Sequence, residues 1–389
     1  MTEKKKFASS LYRLSGEAAF ETLAKAKQLE REGKEIIHFE IGEPDFNTSE
    51  IIKQAAKKGL DLNLTHYVPS AGLLELREAV REYIRIKRGF EPELEQVVIT
   101  PGVKPAVFYS ILSLVESGDE VIYPDPGYPT YYSLIDYIGA KRVPVKLVDE
   151  NEFRMSPEGI AEKITDKTKL IILNSPENPT GGVNTEEDMR GIAELAKDNN
   201  LWIVSDEIYS EIIYEGKHYS PCTYDTCAER SVLVNGFSKC FAMTGWRLGY
   251  IITNKELARK ITTFITNSVS CTNAFVQYAG IEALRKCDRE VKEMVDEFKK
   301  RRDAIVKGLN SVRGFKCLIP RGAFYVFPNI EETNFGCEDL AELLLKKVGV
   351  CTLAGTAFGE GGKGHLRFSY ANSIENIEKG IELIKSLLG

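Results

Sequence analysis

Lys239 stands in the stretch VLVNGFSKCFAMTGWRLGY, Val232 to Tyr250, after the continuous apolar run VLV. The residues behind it, CFAMTGW, give that loop little reason to be wet. A lysine after a strand is ordinarily a solvated loop residue. One that is partly desolvated gives up its proton easily and can attack a carbonyl as an amine, forming an imine. Ser238 and Arg247 flank it with a hydroxyl and a planar fork of donors suited to a phosphate. An imine-forming lysine beside a phosphate clamp is what pyridoxal 5'-phosphate requires.

Other reactive residues also follow apolar runs. LIILNSPENPTGG carries Asn178, and LWIVSDEIYSEIIY carries Asp206 and Tyr209. Ligands of open parallel sheets sit beyond the C-terminal strand ends, so these loops can converge with that of Lys239. A carboxylate at Asp206 is costly after four apolar residues and a serine unless it faces a cation; alternatively it caps a following helix. Asn178, between Glu177 and Pro179, reads equally as a turn residue. Thr100-Pro101-Gly102-Val103-Lys104 joins a strand to a helix, where free backbone N–H groups at Gly102, Val103 and Lys104 make a natural phosphate site. Arg367, in the strand-like GHLRFSYAN, needs a partner if buried, an ion pair being the plain alternative.

Ser238-Lys239 with MTGWRLGY behind it resembles the cofactor-lysine signature of class I aminotransferases, the fold-type I pyridoxal-phosphate family, and within it the aspartate aminotransferases. The resemblance runs from about Leu11 to the C-terminus. It implies that Lys239 carries the cofactor and moves the substrate proton, and that Asp206 faces the pyridine nitrogen. It also implies that Asn178 and Tyr209 donate to the phenolic oxygen, and that Gly102, Val103, Lys104, Ser238 and Arg247 surround the phosphate. Tyr128, in YPDPGYPTYY, matches the ring-stacking aromatic, with Tyr131 and Tyr132 left as packing residues. Tyr67, in THYVPSAG, matches a tyrosine that reaches the neighbouring subunit's phosphate, which implies a homodimer with shared active sites. Arg367, Asn178 and Gly42 (in IGEPDF) match the residues around the substrate α-carboxylate.

The expected reaction moves an amino group between an L-amino acid and a 2-oxo acid. In some acidic-substrate relatives a lysine matching Lys104 faces the distal carboxylate. Where some of them carry Ser-Ala-Thr, this chain has Glu17-Ala18-Ala19. Glu17 would repel a second carboxylate unless Lys104 neutralised it; alternatively it is a solvated first-turn residue favoured by the helix dipole. An aspartate- or glutamate-type donor is narrowly favoured over a neutral or amine-bearing one. A lyase, an ACC-synthase-like enzyme or an oxidase would use the same scaffold. A regulator built on it would need a DNA-binding domain, for which the residues before Leu11 leave no room.

The elements that must position these residues follow from the apolar pattern. Strands are expected at 97–100, 120–123, 142–147, 169–173, 201–205, 231–235 and 248–252, with helices at 103–116, 129–138, 185–199 and 254–266 among them. That alternation predicts an α/β large domain with a mostly parallel seven-stranded sheet flanked by helices. Helices are expected at 17–32, 49–59 and 72–88, a short strand at 36–41, and largely helical chain over 273–312. Shorter elements after Gly314, ending in a helix at 373–388, predict a smaller α+β domain. The expected division is an N-terminal segment 1–46 packing with the small domain, a large domain 47–286 and a small domain 287–389. Residues 1–10 read as a loose polar tail, and GEGGKG (Gly359–Gly364) as a flexible loop rather than a nucleotide loop.

A net charge of −6 argues against a nucleic-acid partner, and no apolar run spans a membrane. Eight scattered cysteines without a CxxC pair read as free thiols in a reducing cytoplasm. Four dispersed histidines give no metal-ligand spacing. Cys240 has no histidine nearby in sequence to activate it and reads as packing.

Overall fold

The computed structural model describes residues 7–389. Helix α1 (Ala18–Arg31) leads to the short strand β1 (Ile37–His38), then α2 (Glu50–Asp61) and α3 (Leu74–Arg88). An alternating region follows: β2 (Val97–Thr100), α4 (Val103–Leu114), β3 (Glu120–Asp125), α5 (Pro129–Ile138), β4 (Lys141–Lys146), α6 (Pro157–Ala161), β5 (Thr168–Asn174), α7 (Glu186–Asp198), β6 (Trp202–Asp206), β7 (Ser231–Gly236), β8 (Gly249–Ile252) and α8 (Lys255–Ser268). Two further helices, α9 (Ala274–Lys286) and α10 (Asp288–Leu309), precede β9 (Tyr325–Val326), α11 (Cys337–Val348), β10 (Val350–Cys351), β11 (Leu353–Ala354), β12 (Leu366–Ser369) and α12 (Ile374–Leu388).

Seven strands form one sheet in the order β2-β8-β7-β6-β5-β3-β4, parallel except for β8, which runs against both its neighbours. Strands β2, β3 and β5–β8 are buried throughout apart from Lys169 and Trp202. This is why they read as apolar runs and not as alternating patterns. Edge strand β4 alternates exposed and buried positions instead. Helix starts carry their own signals. Ser49, Asn254 and Ser373 accept N-terminal backbone N–H groups, and Thr185 forms a capping box with Asp188.

Two small sheets complete the molecule, β1-β10 and β11-β12-β9. The strand expected over 36–41 is only two residues long. Beyond His38 the backbone bonds are diverted: Phe39 C=O accepts from Ser369 N–H, and the Glu40 and Gly42 carbonyls accept from the side chains of Arg367 and Lys239. Just after the expected polar tail, Arg13 donates to the carbonyls of Asp136 and Tyr137; the tail's first six residues lie outside the described ones. GEGGKG is also held: Gly361 N–H donates to Asp125 Oδ1 at 2.9 Å, and Gly359–Gly364 contains a 3₁₀ turn. Among the described residues no helix is long and apolar enough to cross a membrane.

Candidate active site

Because β8 is antiparallel to both β2 and β7, those two strands share a direction. Gly249 pairs with Thr100 on one side and Gly236 on the other. The C-terminal ends of β2, β7, β6 and β5 therefore open on one edge, with Asn174 opposite Asp206 and Asp206 opposite Val234. The loops leaving that edge enclose a pocket of about 380 Å³. Among the residues singled out above, Glu17, Gly42, Val103, Lys104, Tyr128, Asn178, Asp206, Tyr209, Ser238, Lys239, Arg247 and Arg367 line it. Gly102 stands just behind, at the N-cap of α4. Tyr67 does not line this pocket; it is 86% exposed.

Lys239 Nζ donates to Gly42 C=O at 2.5 Å and lies 5.8 Å from the ring centres of both Tyr209 and Phe324. Burial lowers its pKa to about 8, against the opposing pull of Glu43. Asp206 is buried; its Oδ2 accepts from Tyr131 Oη at 2.9 Å and its Oδ1 from Ile208 N–H at 3.2 Å. Burial raises its pKa to about 6. The adjacent Glu207 points elsewhere, to Arg88 and His218, each at 2.9 Å.

Arg367 is buried, with Nη1 donating to Asn178 Oδ1 at 3.1 Å and Nη2 to Glu40 C=O. Its Nε has no partner, and among the described residues no carboxylate forms an ion pair with it. The guanidinium stands 4.6 Å from the Tyr325 ring centre. A buried cation short of a hydrogen-bond acceptor is poised for an anion. Gly42 lies against Tyr325, whose hydroxyl a Cβ there would overlap.

At the other end, Gly102 holds φ +104° at the start of α4, and a Cβ there would overlap the Arg247 guanidinium. No side chain caps this helix, so its first N–H groups, the buried Ser238 and Arg247 form an anion cradle. The donor set fits pyridoxal phosphate: a cradle for the phosphate, a partly deprotonated amine, and a buried carboxylate for the ring nitrogen.

Several contacts in the pocket were not legible in the chain. Tyr131 is a packing residue as expected, yet its hydroxyl also bonds Asp206; its spacing of three from Tyr128 on one helix was the available signal. Tyr325 Oη meets Tyr209 Oη at 2.7 Å. Asn174 binds the loop internally, accepting from Asn178 N–H and donating to Asp206 C=O. Glu17 is no solvated first-turn residue. It is the N-cap of α1 and accepts from Lys104 Nζ, from Tyr128 Oη at 3.1 Å and from Thr130 Oγ1 at 3.2 Å. All eight cysteines are free; Cys240 is buried, its thiol pushed well up by burial.

Comparison with known proteins agrees with this geometry. A family profile described as "Aminotransferase class I and II" matches residues 34–384. An aspartate aminotransferase of Pyrococcus horikoshii is 41% identical over 100% of this chain and 99% of its own length. An aromatic-amino-acid aminotransferase of Thermococcus litoralis is 39% identical, covering 91% and 92% respectively. The structure of Thermus thermophilus aspartate aminotransferase with maleate superposes with a TM-score of 0.95 at 35% identity, over 99% of this chain and 100% of that one.

Proposed function

The chain belongs to the class I and II aminotransferases and is a fold-type I, pyridoxal-phosphate-dependent transaminase, and from that premise we propose how its residues divide the work. The observation that carries the reading is the convergence of Lys239, Asp206 and the acceptor-poor Arg367 in one pocket. Gly102, Val103, Lys104, Ser238 and Arg247 would hold the cofactor phosphate. Tyr128 would cover the cofactor ring, Asp206 would face its nitrogen, and Asn178 and Tyr209 would donate to its phenolic oxygen. Pyridoxal phosphate, when bound, supplies an electron sink for charge developing at the substrate Cα. Arg367 and Asn178, with Gly42 close by, bind the substrate α-carboxylate and so orient the Cα–H bond. Lys239 Nζ takes the Cα proton as a base and gives it up later as an acid. The division into 1–46, 47–286 and 287–389 is supported by the pairing of β1 with β10, which ties the N-terminal segment to the C-terminal elements.

The favoured donor is aspartate or glutamate, as the names of several relatives support. Glu17 draws on Lys104, the cation that would otherwise meet a distal carboxylate. Glu17→Gln is therefore expected to raise kcat/KM for glutamate relative to glutamine and lysine on the order of tenfold, equivalent to roughly 1.4 kcal/mol of removed repulsion. An unchanged ratio would take Glu17 out of specificity.

The active unit is a homodimer, and Tyr67 completes the partner's phosphate site. Its 86% exposure, beside the exposed Leu62 and Leu74, supports an interface there. Tyr67→Ala and Lys239→Ala are each expected to be impaired. Verified hybrids of the two carry one intact site and should recover activity; hybrids as inactive as their parents would refute sharing.

A further inference from the structure

Away from this pocket, β1 and β10 bring together residues far apart in the chain. They pair in parallel with His38 opposite Cys351, and Glu40, two residues after His38, lies on the same side of the extended segment. One donor atom from each of His38, Glu40 and Cys351 falls within 4.8 Å of the other two. Tetrahedral zinc bonds of about 2.0–2.3 Å need donors roughly 3.3–3.7 Å apart, so small side-chain shifts suffice.

The cluster is a carboxylate short of partners. Glu40 is fully buried; its Oε1 meets His38 Nδ1 at 2.7 Å, while Oε2 is buried with no hydrogen-bond partner. Cys351 is fully buried beside it. On the far side of the imidazole, Glu30 Oε1 lies 3.0 Å from His38 Nε2. A carboxylate on the remote ring nitrogen is the arrangement that fixes the tautomer of a metal-bound histidine. Access exists as well: the partly exposed His38 lines a surface cleft with Ile36, Glu43, Pro44 and Asn372.

We propose that His38 Nδ1, the Glu40 carboxylate and Cys351 Sγ bind one zinc-class divalent cation, with water as the fourth ligand and Glu30 orienting the imidazole. The mixed N, O and S donors select zinc or cobalt over magnesium and calcium. Binding releases the Cys351 thiol proton and the His38 Nδ1 proton, and no electron moves. The ion would fasten β1 to β10 and steady Glu40, whose carbonyl accepts from Arg367.

The test uses holoenzyme stripped with chelator and then dialysed. Cobalt(II) titration should give a near-ultraviolet thiolate-to-metal band saturating at one equivalent, and zinc should raise the Tm. Cys351→Ser should lose both the band and the zinc-dependent Tm shift. Glu30→Gln, a milder change at a partly exposed position, should keep the band but bind zinc about 10–100-fold more weakly. The cofactor spectrum of each variant reports its folding. No band in the parent protein, an undiminished band in Cys351→Ser, or unaltered zinc affinity in Glu30→Gln would overturn the site.

Discussion

Lys239→Ala is expected to lose borohydride-stable labelling by pyridoxal phosphate and to lower kcat by at least about 10²–10⁴-fold, the range a positioned proton-transfer group supplies. The expectation rests on where the amine sits. Its Nζ is anchored on Gly42 C=O at 2.5 Å, and burial brings its pKa down to about 8. The free amine is the attacking form, so raising the pH through about 8 should increase the rate at which cofactor-free protein captures the cofactor, with a plateau above. A lysine with its ordinary pKa of about 10.4 would keep climbing well beyond that. Retained labelling and turnover in Lys239→Ala would remove this lysine from the chemistry. A capture rate still rising steeply above pH 9 would refute the depressed pKa.

The second large effect is at Asp206. Asp206→Asn should still hold cofactor while slowing Cα deprotonation by about 10²–10⁴-fold. In the cofactor-free pocket, burial pushes this carboxyl up to about 6, while Tyr131 Oη and Ile208 N–H favour its ionised form. A protonated ring nitrogen beside it would add the missing cation and hold it ionised. The asparagine keeps the shape and loses the charge, so the loss should appear in the proton-transfer step and not in cofactor affinity alone. Rapid-mixing spectra with Cα-deuterated substrate separate the two. Near-normal turnover, or a slowed step showing no isotope effect, would rule out the role.

Much of this was legible in the chain because the large sheet is buried on both faces. Continuous apolar runs such as LIIL and VLV marked strands directly; LIIL runs straight into Asn174 at the pocket, and VLV is followed within five residues by Ser238 and Lys239. What stayed hidden depends on contacts between segments. Nothing local says that Tyr325 will meet Tyr209, or that Glu17, beside the Lys104 expected to neutralise it, will also collect Tyr128 and Thr130. The segment 36–41 carries an apolar pattern suited to a longer strand. Its length is set by Lys239 and Arg367, whose side chains take the carbonyls that a ladder would have used. Likewise GEGGKG looks free until Asp125 is seen to accept from Gly361 N–H. His38 and Cys351 share no motif, since only strand pairing makes them neighbours.

That pairing also sets a schedule for synthesis. Ile37 and His38 emerge early from the ribosome, yet their partners Val350 and Cys351 follow about 310 residues later. At roughly 5–20 residues per second, the early segment waits on the order of 15–60 s for its mate. Throughout that interval the seven strands of the large sheet can assemble, because all of them are translated before residue 253. The segment that presents Gly42 to Lys239 still lacks the strand that anchors it. Capture of the cofactor in its final geometry therefore waits for Val350 and Cys351, and a chain stalled short of residue 350 would carry the lysine without its finished enclosure.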